Sequence, residues 1–431
     1  MDRISDLPDD ILHHILSRLS IKEASGTILL SKRWNHVWAT LHCLNFGEIS
    51  DLGRDEKKKL VSFVDQNLMN RREKGISIHR FRMGIWAHQE FPYHADRWIG
   101  WLVECNIKEL ELELASCGFY DLPRTVFAAK SLTVLSLRCC SMRLPCDADR
   151  ALFPSLQKLC LRHVVVDDRL IRSLSNICPG LEDLKLVTCF GLRSIKIWGL
   201  PKLSKLHLEL SYPPDFLKPE VEVIGLNNLQ SFVYNECHVR CQKVDIVSCR
   251  SLKSLSLSFA KISDKWFHDL FPKLHLLETL TLWDCFSLKK IHISSYTLRH
   301  LVISGCLKLT KASMDTPNLL SLGYEGLMVP ISLNASASLR TDLCLSFINA
   351  DKHAWDDGII TEFLSVFDRS EVVKIFTRSH ELLYEELKAR DPPMRWERHC
   401  VKDVKFEKLD AAECKRRGGD WLPGFWMTLG L

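Results

Sequence analysis

The stretch LTVLSL at residues 132–137 carries leucine at its first, fourth and sixth positions, and this pattern, L-x-x-L-x-L, decides the fold. It recurs along the middle of the chain in LQKLCL (156–161), LEDLKL (181–186), LRSIKI (192–197), LSKLHL (203–208), LKSLSL (252–257), LETLTL (277–282), LKKIHI (288–293) and LRHLVI (298–303). Looser copies are IKELEL (107–112), LQSFVY (229–234), CQKVDI (241–246) and LLSLGY (319–324). Internal repeats of this kind predict a solenoid, in which stacked coils of chain share one continuous core.

The spacing of these copies is of two kinds. The copies that begin at residues 107, 132, 156 and 181 lie 25, 24 and 25 residues apart. Elsewhere the interval is 11 or 12 residues, as from 181 to 192 to 203 and from 229 to 241. A long interval accommodates a strand plus a helix or turn. We therefore expect a short interval to hold only a strand and a tight return.

The N-terminal stretch LPDDILHHILSRLSIKEAS (residues 7–25) has a helical period instead. Its leucines and isoleucines recur at intervals of three and four, which predicts an amphipathic helix with Pro8 as its first residue. Ser20 and Glu23 match the capping box S-x-x-E at the start of a second helix, and a third apolar set begins at Trp34. Three short helices are too small to bury this much apolar surface alone, so we expect something else to cover part of it.

The segments LPDDILHHILSRL, KEA and LSKRW, followed by Trp38, resemble the plant-type F-box over about residues 3–45. With the repeats that follow, the chain resembles the plant F-box/leucine-rich-repeat family. Gly26 departs from the family pattern and should weaken the second helix by up to about 1 kcal/mol relative to alanine. The resemblance implies docking on a Skp-type adaptor and, through it, on cullin and RING subunits. The implied docking positions are Leu7, Pro8, Ile11, Leu12, Ile15, Leu16, Leu30 and Trp34; the alternative is that some of them only hold the three helices together.

Strand periodicity divides each repeat into an inward and an outward set. The leucines face the core, and positions three, five and seven face outward. Position seven gives Arg138, Arg162, Trp198, Glu209, Asn235 and Trp283, and position five gives Lys185, Lys196, His207, Asp245 and His292. Tryptophan and arginine are favoured interface anchors. The candidate target-binding residues are therefore Arg138, Arg162, Trp198, His207, Trp283 and His292; the alternative is that the C-terminal segment covers the tryptophans, or that one is merely an exposed aromatic.

The 17 cysteines, together with an N-terminus that lacks the basic start of a secretory signal, predict a reducing compartment. Six of them occupy position nine of a repeat: Cys140, Cys189, Cys237, Cys249, Cys285 and Cys306. The family resemblance implies a small, inward-facing residue there, and a thiol fits such a site. The rival interpretation, a zinc or redox site, lacks a second pair of ligands beside Cys139-Cys140 or Cys237-His238.

The predicted fold class is α/β: a short three-helix F-box, an irregular leucine-rich-repeat solenoid in the shape of a horseshoe, and a C-terminal α+β cap. The expected domains are the F-box at 1–46, a mostly helical linker at 47–100, the repeats at 101–350 and the cap at 351–431. Within the cap, residues 379–393 predict a helix and VKDVKF (401–406) predicts a strand. The aromatic tail at 418–431 carries no assignment.

Several functional classes find little support in the sequence. There is no G-x-S-x-G, P-loop or G-x-G-x-x-G motif, and His380-Glu381 does not begin a zinc motif because Tyr384 stands in place of the second histidine. The net charge of +5 is not clustered, which disfavours nucleic-acid binding. No run of eighteen apolar residues exists, which disfavours a membrane span.

We therefore expect a non-catalytic protein without a cofactor, residing in the cytoplasm, the nucleus or both. The resemblance implies the substrate-recognition subunit of an SCF-type E3 ubiquitin ligase, assembled from a Skp adaptor, a cullin and an F-box protein. In that role the F-box binds the adaptor and the repeats bind a target protein for ubiquitination. The alternative is an F-box and solenoid module for protein interaction that acts outside a ubiquitin ligase.

Overall fold

The computed structural model describes residues 4–49, 54–86, 91–115, 118–144, 152–210, 220–236, 244–246, 248–336, 338–345, 362–363, 365–367, 370, 372–378 and 403–409. The chain divides into two compact units. Unit 1 comprises Met1–Leu229 and Cys237–Cys249, and unit 2 comprises Gln230–Glu236 and Arg250–Leu431.

Seven α-helices are described: α1 (Asp9–Leu16), α2 (Ile21–Gly26), α3 (Lys32–Ala39), α4 (Arg54–Glu73), α5 (Phe91–Glu104), α6 (Asp168–Ile177) and α7 (Asp264–Leu270). The first strands are β1 (Cys43–Ile49), β2 (Arg80–Trp86), β3 (Glu109–Ala115), β4 (Tyr120–Asp121), β5 (Val134–Arg138), β6 (Cys140–Met142), β7 (Lys158–Arg162), β8 (Val165–Val166), β9 (Asp183–Val187), β10 (Ser194–Trp198), β11 (Lys205–Glu209) and β12 (Glu220–Ile224). The remaining strands are β13 (Ser231–Asn235), β14 (Val244–Asp245), β15 (Ser254–Ser258), β16 (Thr279–Trp283), β17 (Lys290–Ser294), β18 (His300–Ser304), β19 (Lys311–Thr316), β20 (Ser321–Gly326), β21 (Ile331–Ala335), β22 (Arg340–Leu345), β23 (Val372–Arg378) and β24 (Asp403–Leu409).

The N-terminal helices follow from local capping. Helix α1 begins at Asp9 with Pro8 as its cap, one residue later than predicted. The predicted capping box is confirmed: the backbone N–H of Glu23 donates to Ser20 Oγ, and the backbone N–H of Ser20 donates to Glu23 Oε2 at 2.9 Å. Helix α2 ends at Gly26, and a 3₁₀ turn (Thr27–Leu29) follows it.

A long parallel β-sheet runs through each unit. In unit 1 its order is β1-β2-β3-β5-β7-β9-β11, and in unit 2 it is β13-β15-β16-β18-β20-β22-β23-β24. The register sets leucine beside leucine, as in the row Leu110, Leu135, Leu159, Leu184 and Leu206, none of which is more than 1% exposed. The predicted inward leucines of the repeat are therefore confirmed as the core.

Five of the repeats turn at position eight, directly after their strand, through a residue that is not glycine. Cys139, His163, Thr188, Phe259 and Asp284 all adopt positive φ values there, between 49° and 57°. Their backbone N–H groups donate to the position-seven carbonyl of the next coil, for example Thr188 to Glu209 O at 2.8 Å. The gained hydrogen bond offsets the cost of a left-handed conformation in a residue that is not glycine.

The closely spaced repeats differ from the expectation. The copy at 181 forms β9 and the copy at 203 forms β11, both in the long sheet, but the intervening copy at 192 forms β10 in a separate sheet, β10-β12-β14. In unit 2 the copies at 277, 288 and 298 alternate in the same way, with the middle copy in the sheet β17-β19-β21. Each of these short intervals holds a strand and a turn, as predicted, but successive strands enter alternate sheets, which the sequence analysis did not foresee. Both strands bury alternate aliphatic side chains, so one sequence pattern serves two sheets.

Residues 47–100 contain more than the expected helical linker. Helices α4 and α5 are present, but β1 and β2 also pair in parallel with the repeats, so the sheet begins near Cys43. The two helices are joined by Trp98, whose indole Nε1 donates to Asp65 Oδ1 at 2.6 Å. The sequence interpretation missed both strands because Leu44, Phe46, Phe81 and Met83 alternate without the leucine pattern.

The C-terminal region extends the sheet of unit 2. Strand β24 (Asp403–Leu409) confirms the strand predicted around 401–406, and it pairs in parallel with β23, which in turn pairs with β22. These two strands continue the repeat sheet of unit 2. The predicted helix at 379–393 and the aromatic tail at 418–431 lie outside the described residues.

Candidate functional site

An exposed apolar surface lies on the N-terminal helical unit. Leu29 is 91% exposed, Leu30 63%, Ile4 54% and Ile11 43%. Leu29 ends the 3₁₀ turn that follows α2, and Leu30 comes directly after it. Isolated exposed aliphatic residues are common, but several within one unit of about forty residues mark an interaction site. We call Ile4, Ile11, Leu29 and Leu30, which share exposure to water, the apolar face.

The predicted adaptor-binding residues divide into three groups. Pro8, Ile11 and Leu30 are exposed, and Leu7 and Ile15 are half-buried. Leu12, Leu16 and Trp34 are buried, at 0%, 1% and 4% exposure. The buried three form the core of the helical unit and cannot present their side chains to a partner while that core is intact.

Trp34 is fixed in the core by its polar atom as well as by burial. Its indole Nε1 donates to Ser5 Oγ at 2.8 Å, and its backbone N–H caps α3 by donating to Ser31 Oγ. The neighbouring Arg33 pairs with Asp9 at 2.9 Å and also donates to the backbone carbonyls of Ser5 and Leu7. These contacts hold the segment before α1 against α3.

Ile4 and Leu29 belong to the apolar face but were not among the predicted docking residues. The signal for Leu29 was available, because adjacent residues Leu29 and Leu30 in a short turn cannot both point into one small core. Helical periodicity marks the side chains that avoid water. It does not distinguish a contact within the unit from a contact with a partner.

The outward face of the long sheet in unit 1 carries rows of charges. Arg138 pairs with Glu113 at 2.8 Å, Lys158 with Asp183 at 3.6 Å and Arg82 with Glu111 at 3.6 Å. These exposed cross-strand pairs contribute little to stability, but they neutralise most of the face.

Arg162 is the exception among the predicted arginines of this face. Within the described part of the chain its exposed side chain has no hydrogen bond or ion pair. Burial, together with the nearby Arg162 guanidinium, lowers the pKa of Lys185 on the adjacent strand. His207, also on this face, is half-buried with Nε2 3.7 Å from Glu209 Oε2. The Arg162 and Lys185 side chains therefore form the part of the face that an acidic group would neutralise.

The six predicted target-binding residues do not form one surface. Arg138, Arg162 and His207 share the long sheet of unit 1, whereas Trp198 lies on β10 of a separate sheet. In unit 2, Trp283 lies on β16 of the long sheet and His292 on β17 of a smaller one. Trp198 and His292 are exposed, as predicted, but they lie outside the long sheets because alternate short-spaced repeats enter different sheets. Asn235, also predicted to face outward, is buried.

Buried free thiols occupy position nine in four of these repeats. Cys140, Cys249, Cys285 and Cys306 are buried, Cys189 is half-buried, and all are free thiols; Cys237 lies outside the described residues. The thiol of Cys140 donates to the carbonyl of Arg138 at 3.2 Å, and burial raises its pKa to about 12. A thiol with so high a pKa is protonated and unreactive at neutral pH. The described residues contain no cluster of three or more side chains suited to a metal ion.

No helix among the described residues is both long and apolar enough to cross a membrane. The fold and the apolar face together define the class: a three-helix unit with an exposed aliphatic face, followed by parallel-strand repeats. Family models match both parts. The F-box domain matches residues 4–46, the leucine-rich repeats of "FBD-associated F-box protein At5g56370" match residues 95–247, and the leucine-rich-repeat domain of "At1g61320/AtMIF1" matches residues 209–380.

Curated proteins of Arabidopsis thaliana show the same combination. The chain is 30% identical to "FBD-associated F-box protein At4g10400" over 309 residues, which cover 67% of this chain and 73% of that protein. It belongs to the plant F-box/leucine-rich-repeat family. The chain is also 32% identical to "F-box/FBD/LRR-repeat protein At1g13570", over 52% of this chain and 53% of that protein. It is 30% identical to "Putative FBD-associated F-box protein At5g53635", over 48% of each of the two chains. With the last two relatives, the match therefore spans about half of their length.

Proposed function

We propose that this protein is the substrate-recognition subunit of an SCF-type E3 ubiquitin ligase. The F-box binds a Skp-type adaptor, and the repeats bind a protein target for ubiquitination. The observation that carries the proposal is the apolar face, above all Leu29 and Leu30, on an F-box whose own core is already filled by Leu12, Leu16 and Trp34. Such a face is costly in water unless a partner covers it.

The contribution of the chain to ubiquitin transfer is proximity rather than chemistry. One part holds the ligase and another holds the target, which turns an encounter in solution into a reaction within one complex. The transfer itself resides in the partner subunits. The described residues offer repeats and an exposed helical unit, the arrangement of a binding scaffold.

Co-purification with a Skp-type adaptor and a cullin tests this function. The wild-type chain should bring down both proteins, and the Leu29→Ser/Leu30→Ser variant should bring down neither. Leu276→Ser is the matched control, since it also replaces an exposed leucine but lies in unit 2. A wild-type chain that binds the adaptor without a cullin would instead favour an interaction module outside a ligase, and no adaptor binding would contradict the proposal.

For the target side we propose the unit 1 sheet face around Arg162 and Lys185, with His207 beside it. Support comes from the uncompensated positive charge of Arg162 on an exposed strand. Proteins whose ubiquitination depends on this chain should lose that dependence in Arg162→Glu. Arg193→Glu, which reverses an exposed arginine outside this sheet, should leave it unchanged. Equal ubiquitination profiles for both variants would place target binding elsewhere.

A further inference from the structure

Unit 2 contains a cleft of about 650 Å³ at the end of its long sheet where the strands begin. Its floor carries Lys253, Glu278, Arg299 and Leu320, which immediately precede β15, β16, β18 and β20. Successive coils therefore contribute equivalent positions to one groove. None of these residues belongs to the F-box or to the charged sheet face of unit 1.

Exposed apolar side chains concentrate at this cleft. Among the described residues of unit 2, four large apolar side chains are exposed, and three of them line the cleft: Tyr296 at 72%, Leu276 at 49% and Leu320 at 39%. The fourth, Phe286, does not line it. This uneven distribution indicates that a binding partner covers the cleft when the protein functions.

The charge of the cleft is unbalanced. Lys253 Nζ lies 4.0 Å from Glu278 Oε1, at the outer limit of an ion pair. The exposed guanidinium of Arg299 has no side-chain hydrogen bond or ion pair to any described residue. Arginine presents a planar fork of donors that matches a carboxylate. One carboxylate from a ligand would therefore neutralise the unpaired positive charge of Arg299.

The walls of the cleft are held in place before any ligand arrives. Asn318 Nδ2 donates to the carbonyl of Tyr296 at 2.7 Å, so one turn is tied to the next. Thr297 Oγ1 lies within 3.1 Å of the carbonyl of His275 and 3.0 Å of that of Leu277. A preorganised site loses less conformational entropy on binding than a mobile loop does.

We propose that this cleft binds an extended segment of a partner protein that carries an aspartate or glutamate next to a bulky apolar side chain. The carboxylate pairs with Arg299, and the apolar side chain packs on Leu276, Tyr296 and Leu320. A small molecule is a poorer fit, because small-molecule sites enclose most of their ligand and these apolar side chains stand open to water. A peptide lies along the row of coils and covers them from outside.

Selection from a phage-displayed library of random dodecapeptides on the full-length wild-type chain tests the proposal. Enriched peptides should contain a carboxylate beside leucine, phenylalanine, tyrosine or tryptophan. Synthetic copies are then titrated by fluorescence polarisation against the wild type, Arg299→Glu, Leu320→Ser and the control Arg193→Glu. We expect a loss of at least about tenfold in affinity for the first two variants and wild-type affinity for the control.

A charge exchange provides the sharpest result. Replacing the acidic residue of a selected peptide by lysine should abolish binding to the wild type and restore it to Arg299→Glu. The proposal is overturned if no peptide is enriched, if the enriched peptides lack a carboxylate, or if Arg299→Glu and Leu320→Ser bind as the wild type does. Circular dichroism verifies the fold of each variant. Adaptor co-purification should be unchanged in all of them, so this cleft and the ligase role are judged separately.

Discussion

Replacing Leu29 and Leu30 by serine should strongly weaken adaptor binding while the F-box stays folded. Both side chains stand in water in the free protein, Leu29 almost completely and Leu30 to nearly two thirds. Full burial of a leucine is worth roughly 1.5–3 kcal/mol. Scaled by the exposed fractions, the pair supplies about 2–5 kcal/mol of binding free energy, so its loss weakens the complex roughly thirtyfold to a few thousandfold.

For Leu12→Ala we expect the F-box helices themselves to unfold. Leu12 is completely buried in the F-box core, and truncating such a leucine typically costs about 2–5 kcal/mol of unfolding free energy. In a unit of three short helices this is comparable with the whole stability. Leu12→Ala should therefore lose adaptor binding because the helices unfold, whereas the surface variant loses it with the helices intact.

Isothermal titration calorimetry with a recombinant Skp-type adaptor measures the affinity, and hydrogen exchange across residues 9–39 measures the fold. The reasoning is refuted if the Leu29→Ser/Leu30→Ser variant retains wild-type affinity. It is also refuted if Leu12→Ala keeps its amide protection and yet fails to bind, since Leu12 would then be a contact residue rather than a core residue.

Four further predictions concern the stability and side-chain chemistry of the fold. Gly191→Ala should destabilise unit 1 by about 1–3 kcal/mol in urea unfolding, because Gly191 has φ +86° and a Cβ there would lie 2.5 Å from a backbone carbonyl oxygen. Gly26→Ala, with helical φ and open space around it, should stabilise the F-box by up to about 1 kcal/mol. Iodoacetamide at pH 8 should modify half-buried Cys105 well before Cys140, whose pKa is raised to about 12 by burial; equal labelling in a mass spectrum would contradict this. Backbone and hydroxyl hydrogen bonds from Ser20 lower the pKa of Glu23 in the folded protein, so the capping box should be intact at neutral pH. It should be lost as the pH falls through that lowered value, and pH-independent hydrogen-exchange protection of α2 would speak against the cap.

Much of the fold could be predicted from local patterns. The leucines of L-x-x-L-x-L are buried as expected, the capping box of α2 forms, and the strand near residue 403 is present. These features depend on neighbours within a few residues, and the chemistry of those neighbours is visible in the sequence. The F-box was recognisable for the same reason, because its motif lies within about forty consecutive residues.

The arrangement of these elements was decided by the tertiary structure. The repeats at 181 and 192 look alike in the sequence, yet one enters the long sheet and the other enters a separate sheet. Which copy goes where depends on how the coil closes and on which strand lies beside it in the next coil. The dispersal of the predicted target-binding residues follows directly from this alternation.

The division of the F-box leucines has the same origin. The sequence determined that Leu12, Leu16 and Leu30 favour an apolar environment, because helical periodicity and hydrophobicity report the preference of each side chain. Only the packing of α1 against α3 decided that Leu12 and Leu16 are buried within the chain and that Leu30 is not. Hydrophobicity is a property of one residue, whereas the identity of what covers it is a property of the whole assembly.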